Sequence, residues 1–340
     1  MQNPETPELS IHIVTWNSGI FIQHCLESLK KQSYQNFRVL IIDNNSTDDT
    51  LAILSANYPQ IQVIKNRTNL GFAKAHNQGI HFSSSPFVLV LNPDIIATST
   101  FLETLMHGIQ SKPKCGSIGG KTLRFAFAEG DLKQVDMSDR IDSVGLQGLR
   151  SRRVVDRGEG QRDRGQFDAP TPVFGISGSA VVYRRQALED VRYQDEYFDE
   201  EFFAYKEDVD MAWRLQRLGW EAWCIPQALA YHHRSARGDS ESTRQVVAEH
   251  RHRAKVINAL SYRNHLLMLA KNESIASFLL SAPWILSYEL KKFIYLLFFQ
   301  PSVLRQSIAA LKLMPLMRKK KKALMHKARV SQQSLRKWFQ

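Results

Sequence analysis

The feature that most constrains this chain is the alternation in its first hundred residues. Short β-type apolar runs, SIHIVTW, FRVLIID, IQVIKN and FVLVL, are separated by stretches with helical spacing, among them FIQHCLESLKKQ, where Phe21, Leu26 and Leu29 share one side. Strand and helix in succession predict an α/β fold with a mostly parallel sheet covered by helices on both faces. Ligands of such sheets bind beyond the carboxyl ends of the strands. The polar clusters here fall at those ends: Thr15-Trp16-Asn17, Asp43-Asn44-Asn45-Ser46 and Asn92-Pro93-Asp94. Three such ends predict one cleft.

Further along, residues 139 to 168 are rich in Arg, Gly and Asp and poor in apolar side chains, and they read as a long mobile loop, either a solvated connector or a flap. VFGISGSAVVYRR then resumes β character, and YFDEEFFAYKEDVDMAWRLQRLGW predicts a helix. With 340 residues, 43% of them hydrophobic, the chain can fill one large core plus an appendage. The expected division is one α/β domain over residues 1 to 255 and a helical, basic, membrane-associating extension over 256 to 340.

The formal charge of +12 belongs almost entirely to the tail. Residues 301 to 340 hold eleven Lys and Arg and no acid, so the first 300 are nearly neutral. That distribution argues against a nucleic-acid-binding core and for a C-terminus that meets an anionic surface. Just before it, Leu286, Leu290, Phe293, Ile294, Leu297 and Phe298 fall at helical spacing, while Glu289, Lys291 and Lys292 take the other side and interrupt any spanning run. With the run RKKKK at 318 to 322, the pattern predicts a helix lying in a membrane interface; the competing expectation is a core-packing helix with a disordered tail. Three scattered cysteines give no disulfide framework or zinc spacing. No signal peptide is legible at the N-terminus, so the expected location is the cytoplasmic membrane face, and the sequons at Asn44, Asn45, Asn66 and Asn272 carry no weight.

Several short stretches carry chemistry. DNNSTDDT, which begins at Asp43, superficially matches a calcium loop, but Asp48 and Leu54 stand where Gly and Glu are needed. In NRTNLGFAKAHNQGI, Gly71 sits in a turn before a helix whose amino end and Lys74 can approach phosphate oxygens. Asp94 is either a turn former or, with Asn92 beside it, a site for a hard divalent cation that bridges phosphates. KEDVDM brings Glu207, Asp208 and Asp210 to a helix start; the helix dipole and an Asp210–Arg214 pair account for part of the cluster, and general-base chemistry for the rest. His232 and His233 follow an apolar strand and are surface residues or metal ligands. Trp213 and Trp220 either stack on sugars or pack in the core.

Taken in order, IVTWN, IIDNNSTDDT, NLGFAKAHNQGI, LNPD, FGISGSAVVYRR, FDEEFFAYKEDVDMAWRLQRLGW and YHHRSA resemble the inverting glycosyltransferases of family 2, which have the Rossmann-like GT-A fold; the match spans roughly residues 9 to 238. Within the family the chain most resembles a subgroup that includes rhamnosyltransferases of bacterial surface-polysaccharide assembly. The resemblance implies that Thr15, Trp16, Asn17, Asp43 and Asn45 surround the nucleoside of a dTDP- or UDP-linked sugar. It places Asn69, Gly71, Lys74, Asn77 and Asn92 along the diphosphate. Asp94, the last acid of a DxD motif, would bind Mg²⁺ or Mn²⁺ with His232 rather than His233. Asp208 would be the catalytic base, supported by Glu207 and Asp210. Asn92 stands where a first Asp often does, which removes one charge from the metal site. The expected reaction is transfer of a sugar, L-rhamnose from dTDP-rhamnose, to a lipid-linked or oligosaccharide acceptor beside an anionic membrane; the alternative is a non-catalytic nucleotide-sugar-binding membrane protein.

Overall fold

The computed structural model describes residues 6 to 128, 131 to 233 and 244 to 340. The last three residues of the YHHRSA stretch lie outside the described residues. The first hundred residues fold in the expected succession: β1 (Leu9–Thr15), α1 (Gly19–Lys30), β2 (Phe37–Asp43), α2 (Thr50–Asn57), β3 (Gln62–Lys65), α3 (Gly71–Phe82) and β4 (Phe87–Leu91). β1 pairs in parallel with β2 and β4, and β2 with β3. All five residues of β4 are buried, as a strand covered on both faces requires. The register sets Thr15 opposite Asp43, so two of the polar strand ends meet because the strands end together.

The second half of the sheet is mixed. The chain continues through β5 (Ile95–Ala97), α4 (Phe101–Gln110), β6 (Cys115–Ala128), β7 (Asp131–Ser143), β8 (Leu146–Gly148), β9 (Val154–Asp156), β10 (Thr171–Val173), β11 (Ala180–Arg184), α5 (Arg185–Val191), α6 (Glu207–Arg217) and β12 (Glu221–His232). The strand order is β10-β12-β6-β11-β4-β1-β2-β3, with β5 on β12 and β7 on β6, and β8 and β9 form a separate ribbon. β11 runs antiparallel to β4, while β12 runs parallel to β6.

Residues 139 to 168 are not the mobile loop expected of them. They contain the end of β7 and the β8–β9 ribbon, and several of their charges tie the segment to the rest of the protein. The buried ammonium of Lys121 binds Asp163 at 2.7 Å and Asp168 at 2.5 Å, and the Arg157 guanidinium stacks on Phe167. A segment poor in apolar residues is held here by charged anchors.

Among the described residues three long helices follow, α7 (Arg244–Asn272), α8 (Ile275–Phe299) and α9 (Pro301–Lys327), and then a short one, α10 (Gln332–Leu335). The boundary expected after residue 255 falls inside α7, and the C-terminal helices pack onto the α/β unit. Lys271 of α7 and Lys320 of α9 both bind the buried carboxylate of Asp199, at 2.7 and 2.6 Å. Lys271 also reaches Asp210 at 2.8 Å. Phe339 packs against Phe174 and Trp213. The run at 318 to 322 is therefore divided: Lys320 is buried, Lys321 donates to the Glu273 carbonyl, and Arg318, Lys319 and Lys322 remain exposed.

Candidate active site

At the ends of β1 and β2, Asp43 is buried and its Oδ1 accepts from Thr15 Oγ1 at 2.8 Å and Ser46 Oγ at 2.6 Å; Oδ2 accepts from Ser46 N at 3.0 Å and keeps acceptor capacity. Trp16, beside it, is 56% exposed. Asn17 and Asn45 take left-handed backbone conformations, which Asn tolerates, and Asn17 Oδ1 accepts from Thr47 N at 2.8 Å.

The turn into α3 is pinned from three sides. Asn69 Oδ1 accepts from Gly71 N, Asn44 Nδ2 donates to Gly71 O, and Phe203 O accepts from Ala73 N. Gly71 has φ +79, and a Cβ there would lie 2.5 Å from the Phe203 ring, so both backbone and space demand glycine. Lys74 is half exposed and 3.2 Å from Glu200. Asn77 is buried; its amide donates to Phe198 O and accepts from Phe198 N, both at 2.8 Å, and also donates to Glu200 at 3.2 Å, so its polar atoms are engaged within the protein.

Asp94 lies on the bend between β4 and β5. β5 pairs with β12 so that Ile95 opposes His232, and this register brings the two side chains together. Asp94 Oδ1 is 3.3 Å from His232 Nε2, and that buried oxygen has no well-formed hydrogen bond. Asp142, at the end of β7, holds His232 Nδ1 at 2.8 Å. Burial opposes charge on this imidazole, but Asp94 and Asp142 prevail and raise it to about 10. His233 instead packs among Phe21, Phe125 and Phe127.

Glu207 and Asp208 open α6. The loop before it is strained: Phe203, Tyr205 and Lys206 have φ of 60, 72 and 70. The loop is held from α7, where the buried Asn264 amide donates to the carbonyls of Phe202, Ala204 and Tyr205 and Arg263 donates to that of Glu201. Asp208 Oδ2 accepts from Gly178 N at 3.1 Å. Glu207 is buried, and burial together with the Asp208 charge raises it to about 8. Asp210 does not line the cavity that holds its neighbours. It points into the core, bound to Arg214, Lys271 and Asn272 at 2.8 Å each, and takes no part in the cleft. Trp213 is likewise a core residue, and Trp220 is buried with Nε1 on Asp190.

Asn92, Asp94, His232, Glu207 and Asp208 line one cavity of about 780 Å³. Its far wall comes from residues the sequence did not single out for the site: Arg153 after β8, Tyr262 and His265 of α7, Tyr288 and Lys292 of α8. Among the described residues no group of three or more His, Cys, Asp or Glu is arranged to hold a metal by itself.

A family model described as Glycosyl transferase family 2 matches residues 10–192. The chain belongs to this family. A second model, Glycosyl transferase family group 2, matches residues 155–317, so the resemblance extends into the C-terminal helices. The N-acetylglucosaminyl-diphospho-decaprenol L-rhamnosyltransferase of Mycobacterium tuberculosis is 26% identical over 264 residues, covering 72% of this chain and 82% of that protein. The O-antigen biosynthesis protein RfbC of Myxococcus xanthus is 26% identical over 237 residues, 68% of this chain and 18% of that protein. Among solved structures, S. aureus TarS 1-349 superposes with a TM-score of 0.52 at 18% identity over 97% of this chain and 91% of that one. GalNAc-T7 with UDP, GalNAc and Mn²⁺ gives 0.58 at 12% identity over 79% and 48%. The protein is a family 2 glycosyltransferase with the GT-A fold.

Proposed function

We propose that this glycosyltransferase moves L-rhamnose from dTDP-rhamnose to a lipid-linked or oligosaccharide acceptor, with inversion, at the cytoplasmic face of the membrane. The observation that carries the reading is the cavity that Asp94, His232 and Asp208 line together. The donor choice rests on the name of the mycobacterial relative. The residues present fit a divalent cation. Asp94 offers a buried oxygen without a hydrogen-bonded proton, and His232, oriented by Asp142, would offer Nε2 beside it once a cation displaced the proton that the two carboxylates now hold there. When bound there, Mg²⁺ or Mn²⁺ neutralises charge on the departing diphosphate.

Asp208 removes the proton of the acceptor hydroxyl as that oxygen bonds to the anomeric carbon and the bond from this carbon to the diphosphate breaks. The Gly178 N–H holds the carboxylate in place. A single base and no carboxylate nucleophile make one in-line displacement, hence inversion. Replacing Asp208 by Asn is expected to lower release of free nucleoside diphosphate in the presence of acceptor by about 10²–10⁴-fold. An Asp208→Asn protein with full turnover would refute the assignment.

The membrane part of the reading has separate support. Leu286, Leu290, Phe293, Ile294, Leu297 and Phe298 of α8 are exposed together, while Glu289 turns inward to Tyr262 and His265. Among the described residues no helix is long and apolar enough to cross a membrane. Such a face, with Arg318, Lys319 and Lys322 exposed nearby in sequence, suits a helix seated in an anionic interface. The variant Leu290→Glu/Phe293→Glu/Phe298→Glu should fail to sediment with anionic vesicles that capture the native protein; equal sedimentation would count against the interfacial helix.

A further inference from the structure

Outside the catalytic cavity, two hollows of about 450 and 520 Å³ lie between the first half of α8 and the C-terminal residues, and they share Arg150, Trp284 and Gln340 as a common wall. Arg150, Arg336 and Lys337 are exposed in the first, and Arg150 and Lys291 in the second. No Asp or Glu lines either one. Even a C-terminal carboxylate on Gln340 would set one anion against these four cations. A fifth lining cation, Arg152, is buried and already matched by Glu273.

The corner that carries Arg150 is fixed. Its N–H donates to Gln340 O at 3.3 Å, and its own carbonyl accepts from Arg152 Nη1 at 3.2 Å. Arg152 is left-handed, with φ of 64, and donates to Ser277 and Ser281 of α8 at 2.8 and 3.0 Å. The Arg150 guanidinium lies 5.1 Å from the centre of the Trp284 ring. A guanidinium seated on a ring face keeps its in-plane N–H donors for an oxyanion.

α8 carries two stripes. Leu280, Trp284, Ser287 and Lys291, spaced by four, three and four residues, line the hollows. Leu279, Leu286, Leu290, Phe293 and Leu297 are exposed on a second stripe, about 100° further round the axis. A helix seated with the second stripe among acyl chains holds the first at the level of the head groups, where Trp is favoured. Cations without acids at that depth match a phosphate.

We propose that Arg150, Arg336 and Lys337, beside Trp284, bind the head-group phosphate of an anionic phospholipid whose acyl chains run along the exposed face of α8. The site extends the interfacial reading of α8 and rests on it. Tyr288 lines both the second hollow and the catalytic cavity, so lipid bound here holds that cavity beside the bilayer surface.

The test is partition of the full chain onto phosphatidylcholine vesicles with and without phosphatidylglycerol, read by sedimentation. Native protein should bind the anionic vesicles about tenfold or more tightly than the neutral ones. Arg150→Ala/Arg336→Ala should lose about tenfold on anionic vesicles. Arg150→Lys/Arg336→Lys keeps the charge without the planar fork and should lose about threefold. Lys31→Ala/Lys114→Ala removes the same charge from exposed positions before β2 and β6, and should stay within about twofold of native. If the Ala pair at Arg150 and Arg336 melts lower than native protein, the Lys pair carries the comparison. Equal losses in the two Ala variants, or a Lys pair that binds as native protein does, would overturn the pocket in favour of a diffuse field. Inorganic phosphate that binds native protein in calorimetry as tightly, per phosphate, as vesicle lipid would reassign the site to a soluble anion. Native protein that ignores phosphatidylglycerol would sink the interfacial reading and the pocket together. Binding lost in Leu290→Glu/Phe293→Glu/Phe298→Glu but kept in Arg150→Ala/Arg336→Ala would sink the pocket alone.

Discussion

Asn264 of α7 donates its side-chain amide to the carbonyl of Tyr205 at 2.7 Å. Tyr205 is one of three left-handed residues immediately before Glu207 and Asp208, and the same amide also takes the carbonyls of Phe202 and Ala204. A helix some sixty positions away in sequence therefore over-determines the backbone that presents the base. Phe203 of this loop touches the other half of the site through Gly71 and Ala73.

Asn264→Ala should leave buried carbonyls unsatisfied, at a cost of about 1–3 kcal/mol in stability. If the clamp positions Asp208, kcat should fall by about 10–100-fold in protein that remains folded, because a small displacement of a catalytic group is costly. Steady-state kinetics beside a urea melt separate the effects. Native kcat in a destabilised variant would show that the clamp is structural only.

Asp208 and Asp210 are two residues apart and have opposite surroundings. Asp208 lines the cavity; Asp210 is fully buried among Arg214, Lys271 and Asn272. Asp210→Asn should lower stability by about 3 kcal/mol or more, since it strips a carboxylate from buried cations. The kcat of its folded fraction should stay within about tenfold of native, against the larger loss expected for Asp208→Asn. Active-site titration combined with thermal melts would check the contrast; a kcat loss in Asp210→Asn equal to that of Asp208→Asn would reinstate it as a catalytic group.

Glu207 supplies a pH signature. Its ordinary value is 4.5 and its folded value about 8, raised by burial and then by the Asp208 charge. The folded state therefore holds this proton more tightly than the unfolded state. The associated stability is complete below about 4.5 and is lost as pH rises through 8. Glu207→Gln cannot ionise, so the melting temperature of native protein relative to this variant should fall by about 2–4 °C between pH 5 and pH 9. Differential scanning fluorimetry across that range would show it; a constant difference would mean that Glu207 ionises normally.

Much of the site was legible because strand ends carry it. Thr15, Asp43, Asn92 and Asp94 sit where apolar runs stop, and a parallel sheet brings such ends together whatever the side-chain detail. Motif order then located Asp208 and His232. Residue type and spacing do not say which way a side chain turns. Asn77 and Asp210 lie on helices beside functional neighbours but face the core. The segment 139–168 lacks an apolar pattern because Lys121 and Arg152 hold it by ion pairs. The far wall of the cavity, from Arg153 to Lys292, depends on contacts between distant stretches and leaves no local signal. For the same reason Lys320 looked like one more residue of a basic run.

That lysine leads to an acid-sensitive joint. Asp199 is buried beneath Lys271 of α7 and Lys320 of α9. Burial alone would raise its carboxyl, but the two ammonium groups win and hold it well below the ordinary 3.8; Lys271 and Arg214 do the same for Asp210. An acid depressed in the folded state contributes stability that is fully present above about 3.8 and is lost as pH falls toward the folded value. Native protein should therefore lose urea resistance steeply below about pH 4, with the C-terminal helices coming away from the α/β unit. Asp199→Asn leaves two buried ammonium groups short of a counter-charge and should cost about 3–5 kcal/mol at neutral pH. Its remaining stability should fall less steeply with acid than that of native protein. Urea titrations from pH 7 to pH 3 would measure both slopes, and parallel slopes would show that the joint draws little of its strength from Asp199.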